Sequence, residues 1–233
     1  MKIILAFFIA FASLTTASCQ TAEDYFNSGV AKGKSQDPRG AIVDYTKAIE
    51  LAPDDAGVYY AKGNSKLNLE DPIGAIVDFT KVIQLDPNEA DAYYNRGLLK
   101  HYLQDYSGAI ADLTKAIGLA PNYARYYRRG FSKYYLQDYR GAIADYTKAI
   151  ELDPDYADAY YNRGNAKGKL QDDRGAIADF TKAIQLAPTD TKAYFNRGLA
   201  KGNLQDLRGA IADLTKAIEL APDDAIAYHN GGL

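Results

Sequence analysis

A chain of 233 residues, 47% hydrophobic and 24% charged, has the composition of a folded protein with one extended domain or two small ones. Its formal charge of −3 lacks the basic excess of a nucleic-acid binder, so no nucleic-acid partner is expected. One cysteine, Cys19, and two histidines, His101 and His229, allow no intramolecular disulfide and practically exclude a Cys/His metal site; neither metal nor cofactor is expected.

Residues 1–18 read MKIILAFFIAFASLTTAS. Lys2 is a short basic start, and Ile3 to Leu14 is an unbroken run of apolar and small residues that ends before polarity rises at Gln20. The run is shorter than the ~20 residues a spanning helix needs, so the layout predicts a signal peptide over residues 1–18; an uncleaved N-terminal helix is the alternative. Thr15-Thr16-Ala17-Ser18-Cys19 resembles the lipobox of bacterial lipoproteins, although it lacks the usual Leu three residues before the cysteine. That resemblance implies lipidation of Cys19 and attachment to the periplasmic face of a bacterial membrane through the lipid alone. Ordinary signal-peptidase cleavage near Ser18 or Cys19, giving a secreted protein, is the competing reading.

The remainder, residues 19–233, is dominated by self-similarity. A Gly-Ala-Ile triplet begins at Gly40, Gly74, Gly108, Gly141, Gly175 and Gly209, in steps of 34, 34, 33, 34 and 34 residues. Pro53, Pro87, Pro121, Pro154, Pro188 and Pro222 recur in step, as do Gly29, Gly63, Gly97, Gly130, Gly164 and Gly198. Units of about 22–55, 56–89, 90–123, 124–156, 157–190 and 191–224 follow, with a partial seventh at 225–233. The shorter step is one deletion after Pro121, at the start of a helix, where a local loop adjustment is expected.

The first unit contains Ser28-Gly29-Val30-Ala31-Lys32-Gly33-Lys34-Ser35, which nearly spells a phosphate-binding loop. That loop requires a strand before it and a helix after it, whereas this segment falls inside a helix, so the likeness is discounted.

Each unit reads as two helices, for example Tyr160 to Leu170 and Arg174 to Leu186. In the second, Ala176, Ile177, Phe180, Ala183 and Ile184 make one apolar face. Asp37, Asp71, Asp105, Asp138, Asp172 and Asp206 stand as N-caps before the second helices. Proline stops each second helix, and Asp54, Asn88, Asn122, Asp155, Thr189 and Asp223 are expected to cap the next first helix. Small residues such as Gly164 and Ala176 let the two helices close tightly, and a hairpin unable to bury both faces must stack on its neighbours.

The unit AYYNRGNAKGKLQDDRGAIADFTKAIQLAP, residues 159–188, resembles the tetratricopeptide repeat in length, helix-turn-helix form and placement of Gly, Ala, aromatic and Pro residues. The resemblance covers about residues 22–224. It implies an all-α, right-handed superhelical solenoid of antiparallel helix pairs, twelve helices in six hairpins. It further implies a scaffold, not an enzyme, whose first helices line a concave surface for another protein or a peptide segment.

Carried over residue by residue, that surface comprises Phe26, Tyr60, Tyr94, Tyr127, Tyr161 and Phe195. Val30, Asn64, Leu98, Phe131, Asn165 and Leu199 follow one turn later. Near the middle, His101, Tyr102, Tyr134 and Tyr135 add aromatic character, and exposed rings make credible anchors. The same rings could instead complete the core. Family members that clamp a partner's terminal carboxylate need a lysine where this chain has Phe26, Tyr60 or Tyr94, which argues against that partner class; Asn64 and Asn95 do not make the clamp alone.

Lysines recur at Lys32, Lys66, Lys100, Lys133, Lys167 and Lys201, and four units add Arg96, Arg129, Arg163 and Arg197 one turn earlier. Like charges four apart share a helix face, so Asp44, Asp78, Asp112, Asp145, Asp179 and Asp213 are expected to relieve them as an ionic ladder. No catalytic set stands out: His101 lies on a regular helix with no partner identifiable, and no carboxylate pair departs from the repeat pattern.

The expected function is an exported interaction scaffold that captures an extended segment. A carbohydrate- or cell-wall-binding module using the tyrosine surface is the alternative. Ala225 to Leu233 opens a seventh first helix and stops at Gly231-Gly232-Leu233. Arrays usually need a polar cap, so three readings stand: poor covering of the sixth unit, self-association through that end, or a fragment of a longer array.

Overall fold

The computed structural model describes residues 20–221. The signal segment 1–18, Cys19, the Pro222 and Asp223 positions and the partial unit 225–233 lie outside the described residues. Those residues form twelve α-helices in six hairpins. They are α1 (Ala22–Lys34) with α2 (Pro38–Leu51), α3 (Ala56–Leu67) with α4 (Pro72–Leu85), and α5 (Ala90–Tyr102) with α6 (Tyr106–Leu119). Next come α7 (Tyr123–Tyr135) with α8 (Tyr139–Leu152), α9 (Ala157–Lys169) with α10 (Asp173–Leu186), and α11 (Thr191–Asn203) with α12 (Leu207–Leu220).

One aspartate both ends the first helix and starts the second. The Asp37 N–H donates to the Lys32 carbonyl at 2.9 Å and Gln36 N–H to the Gly33 carbonyl at 3.2 Å, closing α1. The Asp37 carboxylate then accepts from Gly40 N–H at 2.8 Å and opens α2. The same cap recurs at Asp71, Asp105, Asp138, Asp172 and Asp206. A Cβ on Gly40 would overlap the capping carboxylate, which is why the Gly-Ala-Ile triplet begins with glycine. To make this turn, Gln36, Glu70, Gln104, Gln137, Gln171 and Gln205 all adopt φ between 57° and 64°. That region costs a non-glycine residue roughly 1–2 kcal/mol, so the hydrogen bonds on both sides must hold it there.

The second helices stop where proline dictates: Ala52, just before Pro53, has already left the helical region at φ −139° and ψ 81°. The caps that follow differ from expectation. Asp55, Glu89 and Asp190 cap α3, α5 and α11, one residue later than Asp54, Asn88 and Thr189. Tyr156 occupies that place before α9 with no side-chain cap bond, so Asp155 is not a cap either. After Pro53, Pro87, Pro154 and Pro188 the next residue is spent inside the turn. Among the described residues only Asn122, where the deletion removes that residue, caps directly, accepting from Arg125 N–H at 2.9 Å. The deletion therefore ends in a shorter turn, and α7 keeps its place in the array.

Close approach inside each hairpin follows from the second glycine series. A Cβ on Gly29 would lie 2.6 Å from the Tyr45 ring, and one on Gly164 would lie 2.8 Å from Phe180. Opposite these glycines sit Ala41, Ala75, Ala109, Ala142 and Ala176, all fully buried. The space beside them is filled by Tyr45, Phe79, Leu113, Tyr146 and Phe180.

The expected ionic ladder is present. Arg163 donates through Nε and Nη2 to both oxygens of Asp179, at 2.9 and 2.6 Å, while Lys167 Nζ lies 2.8 Å from the same carboxylate. The arrangement repeats at Asp112, Asp145 and Asp213. Each arginine also donates through Nη1 to a threonine on the preceding second helix: Arg96 to Thr80, Arg129 to Thr114, Arg163 to Thr147 and Arg197 to Thr181, at 3.0–3.1 Å. One guanidinium thus ties three helices.

Candidate functional site

α1 touches α3, α5 touches α7, α7 touches α9 and α9 touches α11, whereas no comparable contact joins successive second helices. The first helices therefore crowd toward the inside of the curve and line its inner face. The recurring rings on that face have two roles. Phe26 packs 5.9 Å from Tyr45, Tyr60 meets Phe79 edge-on at 5.5 Å, and Tyr161 lies 5.9 Å from Phe180. Their outer ends join neighbouring units: Asn95 donates to the Tyr60 hydroxyl, Asn162 to Tyr127 and Asn196 to Tyr161, at 2.9–3.0 Å. Burial raises the Tyr60 phenol and pushes Tyr127 up to about 12, so these hydroxyls remain neutral acceptors for the asparagines.

Tyr127 is only 8% exposed and belongs chiefly to the core. Tyr94 is half-buried under the Arg125 guanidinium, 5.9 Å from the ring centre. Arg125 stands in the column where Ala92, Ala159 and Ala193 are fully buried. It is buried too, bonding the Ala120 carbonyl and Asp91. Val30, Asn64, Leu98, Asn165 and Phe195 are half-buried, and Leu199 is exposed.

The middle of the array carries an aromatic cluster. His101 lies 5.0 Å from Phe131 and 5.4 Å from Tyr135, and Phe131 stacks 6.1 Å from Tyr127. Tyr134 contacts Tyr135 at 6.0 Å. Two rings missing from the sequence expectation complete it: Tyr106 stacks on Tyr135 at 5.4 Å, and Tyr139 meets Tyr134 at 5.4 Å. They occupy the column held by Pro38 and Pro72 in the first two units, and that departure was the available signal. Tyr102, 74% exposed, leans away from the cluster and lines a cavity of about 290 Å³ with Leu67 and Leu99.

The chemistry of the face suits contact. His101 Nδ1 lies 3.0 Å from Ser132 Oγ, and burial, aided by the Arg128 charge, lowers its basicity, leaving a neutral ring packed among others. Residues 28–34, the phosphate-loop lookalike, are interior turns of α1. Among the described residues, no three His, Cys, Asp or Glu side chains gather as a metal-ligand set, and no helix is long and apolar enough to cross a membrane.

Comparison with known proteins places this geometry. Tetratricopeptide repeat models match residues 22–55, 56–89, 90–123, 157–190 and 191–224, and a TPR repeat model matches residues 130–171. No curated protein matches the sequence. Among solved structures, YrrB, a TPR protein with an unusual peptide-binding site, is 25% identical, with a TM-score of 0.71 over 81% of this chain and 98% of its own. MamA from Desulfovibrio magneticus RS-1 is 25% identical, with a TM-score of 0.68 over 72% of this chain and 96% of its own. PilW, a type IV pilus biogenesis factor, shares the fold alone, at 15% identity and a TM-score of 0.71 over 89% of this chain and 97% of its own. Six stacked hairpins with these caps, glycines and prolines, matched along nearly their whole length, make the chain a member of the tetratricopeptide repeat family.

Proposed function

We propose that the chain is an exported interaction scaffold that holds an extended segment of another protein along its inner face and acts by binding alone. The observation that carries this reading is aromatic surface left open at the centre of that face, with Tyr102 74% and Tyr135 50% exposed. Rings of this kind supply contact area at low entropic cost and keep a polar tip for a partner's backbone. The peptide-binding site of YrrB, a similar array, supports the same use. Export rests on residues 1–18, and membrane attachment on lipidation of Cys19.

A photo-crosslinking residue at Tyr102, compared with one at Val77 on the outer helix α4, tests the surface. Capture of one defined protein from Tyr102 and not from Val77 is expected. The Tyr102→Ala/Tyr135→Ala variant should then weaken that complex about tenfold or more. Equal capture from both positions, or unchanged affinity in the double variant, overturns the reading. Mass spectrometry of the mature protein checks the anchor: an acylated N-terminal Cys19 is expected, and an unmodified N-terminus refutes lipidation.

A further inference from the structure

The inner face holds a second feature, an open cavity of about 510 Å³ between α9 and α11. Its floor is Gly164, Ala176, Phe180 and Ala200, all buried, and Leu199, Asn203 and Asp173 stand around its mouth. The cavity exists because of one column of the repeat. Leu67, His101 and Tyr134 occupy this column in the second, third and fourth hairpins, whereas the fifth has Gly168. A Cβ on Gly168 would meet nothing within 4 Å.

The chain itself shows what fits such a space. In the third hairpin the His101 ring occupies it, 5.0 Å from Phe131, 5.4 Å from Tyr135, 5.2 Å from Tyr106 and 3.0 Å from Ser132 Oγ. The residues in those four columns two hairpins later are Leu199, Asn203, Asp173 and Ala200, and all four line the cavity. The space between those columns is kept, and the ring is missing. Its surroundings have also changed, from hydroxyls and aromatic edges to a floor of small residues and Phe180, with Asp173, Lys169 and three asparagines around it. Asp173 accepts one hydrogen bond, from Asn203 at 3.0 Å, and a carboxylate has capacity for more.

We propose that this cavity is an anchor subsite for an indole ring, the side chain of a tryptophan in the bound segment, with its N–H donating to Asp173. The buried floor takes the ring face, and the Asp173 carboxylate accepts from the indole N–H. This assignment rests on the inner face being the partner surface, and it names one residue type that the partner presents there.

The chain has 20 tyrosines and no tryptophan, so indole emission reports the ligand alone. The probe is N-acetyltryptophanamide at millimolar concentration, followed by emission and by amide NMR shifts. Blue-shifted emission and shifts centred on Gly168, Ala200 and Asn203 are expected. Gly168→His, which supplies the ring that His101 supplies elsewhere, should weaken binding about tenfold or more, while Gly33→His, in the same column at the other end, should leave it unchanged. The 1-methylindole analogue should bind more weakly than the N–H form, and Asp173→Ala should erase that difference. Shifts centred on His101 and Tyr135, no binding at all, or equal binding to Gly168→His each overturn the subsite. A partner still captured from Tyr102 with unchanged affinity in Gly168→His refutes the indole anchor and keeps the scaffold. Loss of capture from Tyr102 in the unaltered protein removes both.

Discussion

The first two hairpins and the last four hold the same aspartate column in different ways. In α5–α12, each of Asp112, Asp145, Asp179 and Asp213 is gripped by an arginine and a lysine, and the arginine reaches on to a threonine of the preceding hairpin. In α1–α4, Ser28 and Lys62 stand where that arginine would be. Asp44 is held by Lys32 and by the Ser28 hydroxyl, both at 2.6 Å. Asp78 lies 2.7 Å from Lys66 Nζ, and that ammonium also donates to the Gly74 carbonyl. Thr46 donates only to its own helix, at Ile42. The α2–α3 junction therefore rests on packing around Val58 and Ala48, while every later junction adds a polar stitch. In a linear array each neighbour interface contributes to local stability, so the difference places the weakest coupling at the first hairpin.

The largest expected effect comes from breaking the fuller grip. Asp179→Asn leaves Arg163 and Lys167, whose side chains are 16% and 21% exposed, facing each other without a counter-charge. A cost of about 3–5 kcal/mol in urea unfolding is expected for a broken buried pair. Asp44→Asn should cost about 1 kcal/mol, because the Lys32 side chain is 40% exposed and can turn to water. Equal costs would dissolve the distinction between the two regions. Asp145→Asn combined with Asp179→Asn should lower the melting temperature further.

Acid should act through the same column. Burial works to raise the Asp213 carboxyl, and hydrogen bonds from Arg197 and Lys201 overcome it, leaving the group lowered. A lowered carboxyl stabilises the fold above its unfolded pKa of about 4 and loses that contribution as pH falls through the folded value. Urea midpoints measured from pH 6 downward should fall below pH ~4, and less steeply in Asp213→Asn.

Moving the stitch is a finer test. Lys62→Arg places a guanidinium within the pattern that would join Asp78 to Thr46, and should add about 1 kcal/mol to the first junction. Slower amide exchange across α1 and α2 is the expected readout, since those helices gain the neighbour contact. Thr147→Val removes one existing stitch and should cost about 1 kcal/mol. No change in either variant would mean that packing alone couples the hairpins.

What sequence could and could not show follows the same division. The aspartate caps and the ladder were legible because each depends on fixed offsets within one unit. The arginine–threonine stitches depend on how units sit against each other, which offsets within a unit do not reveal. The shift from Asp54 to Asp55 was hidden because both residues are good caps and only the turn geometry chooses between them. The left-handed turn at Gln36 and its five counterparts carried no glycine or asparagine to announce it. On the inner face, the aromatic surplus of the central hairpins was visible, but Tyr106 and Tyr139 sit on second helices and join the cluster only when the hairpin closes. The cavity at Gly168 is an absence, and it is seen only against His101 and Tyr134, the rings that fill its column in the third and fourth hairpins.

The smallest effect tests whether the core columns are interchangeable. Phe79, Tyr146 and Phe180 fill the same place in three hairpins. Tyr146 is fully buried, and its hydroxyl has no hydrogen-bond partner. Burial accordingly drives its phenol strongly upward, away from ionisation. An unpaired buried hydroxyl costs about 1–3 kcal/mol in desolvation, and phenylalanine removes it while keeping the ring. Tyr146→Phe should therefore raise stability by about 1 kcal/mol, a gain that urea unfolding resolves. Tyr45→Phe is the control, since that residue is 4% exposed, against 0% for Tyr146, and its hydroxyl is not left buried without a partner. A smaller gain there is expected, because contact with water already relieves part of the cost. A loss of stability in Tyr146→Phe would show that the hydroxyl has a partner supplied by solvent, and that the central hairpins keep a polar group in their core for a structural reason.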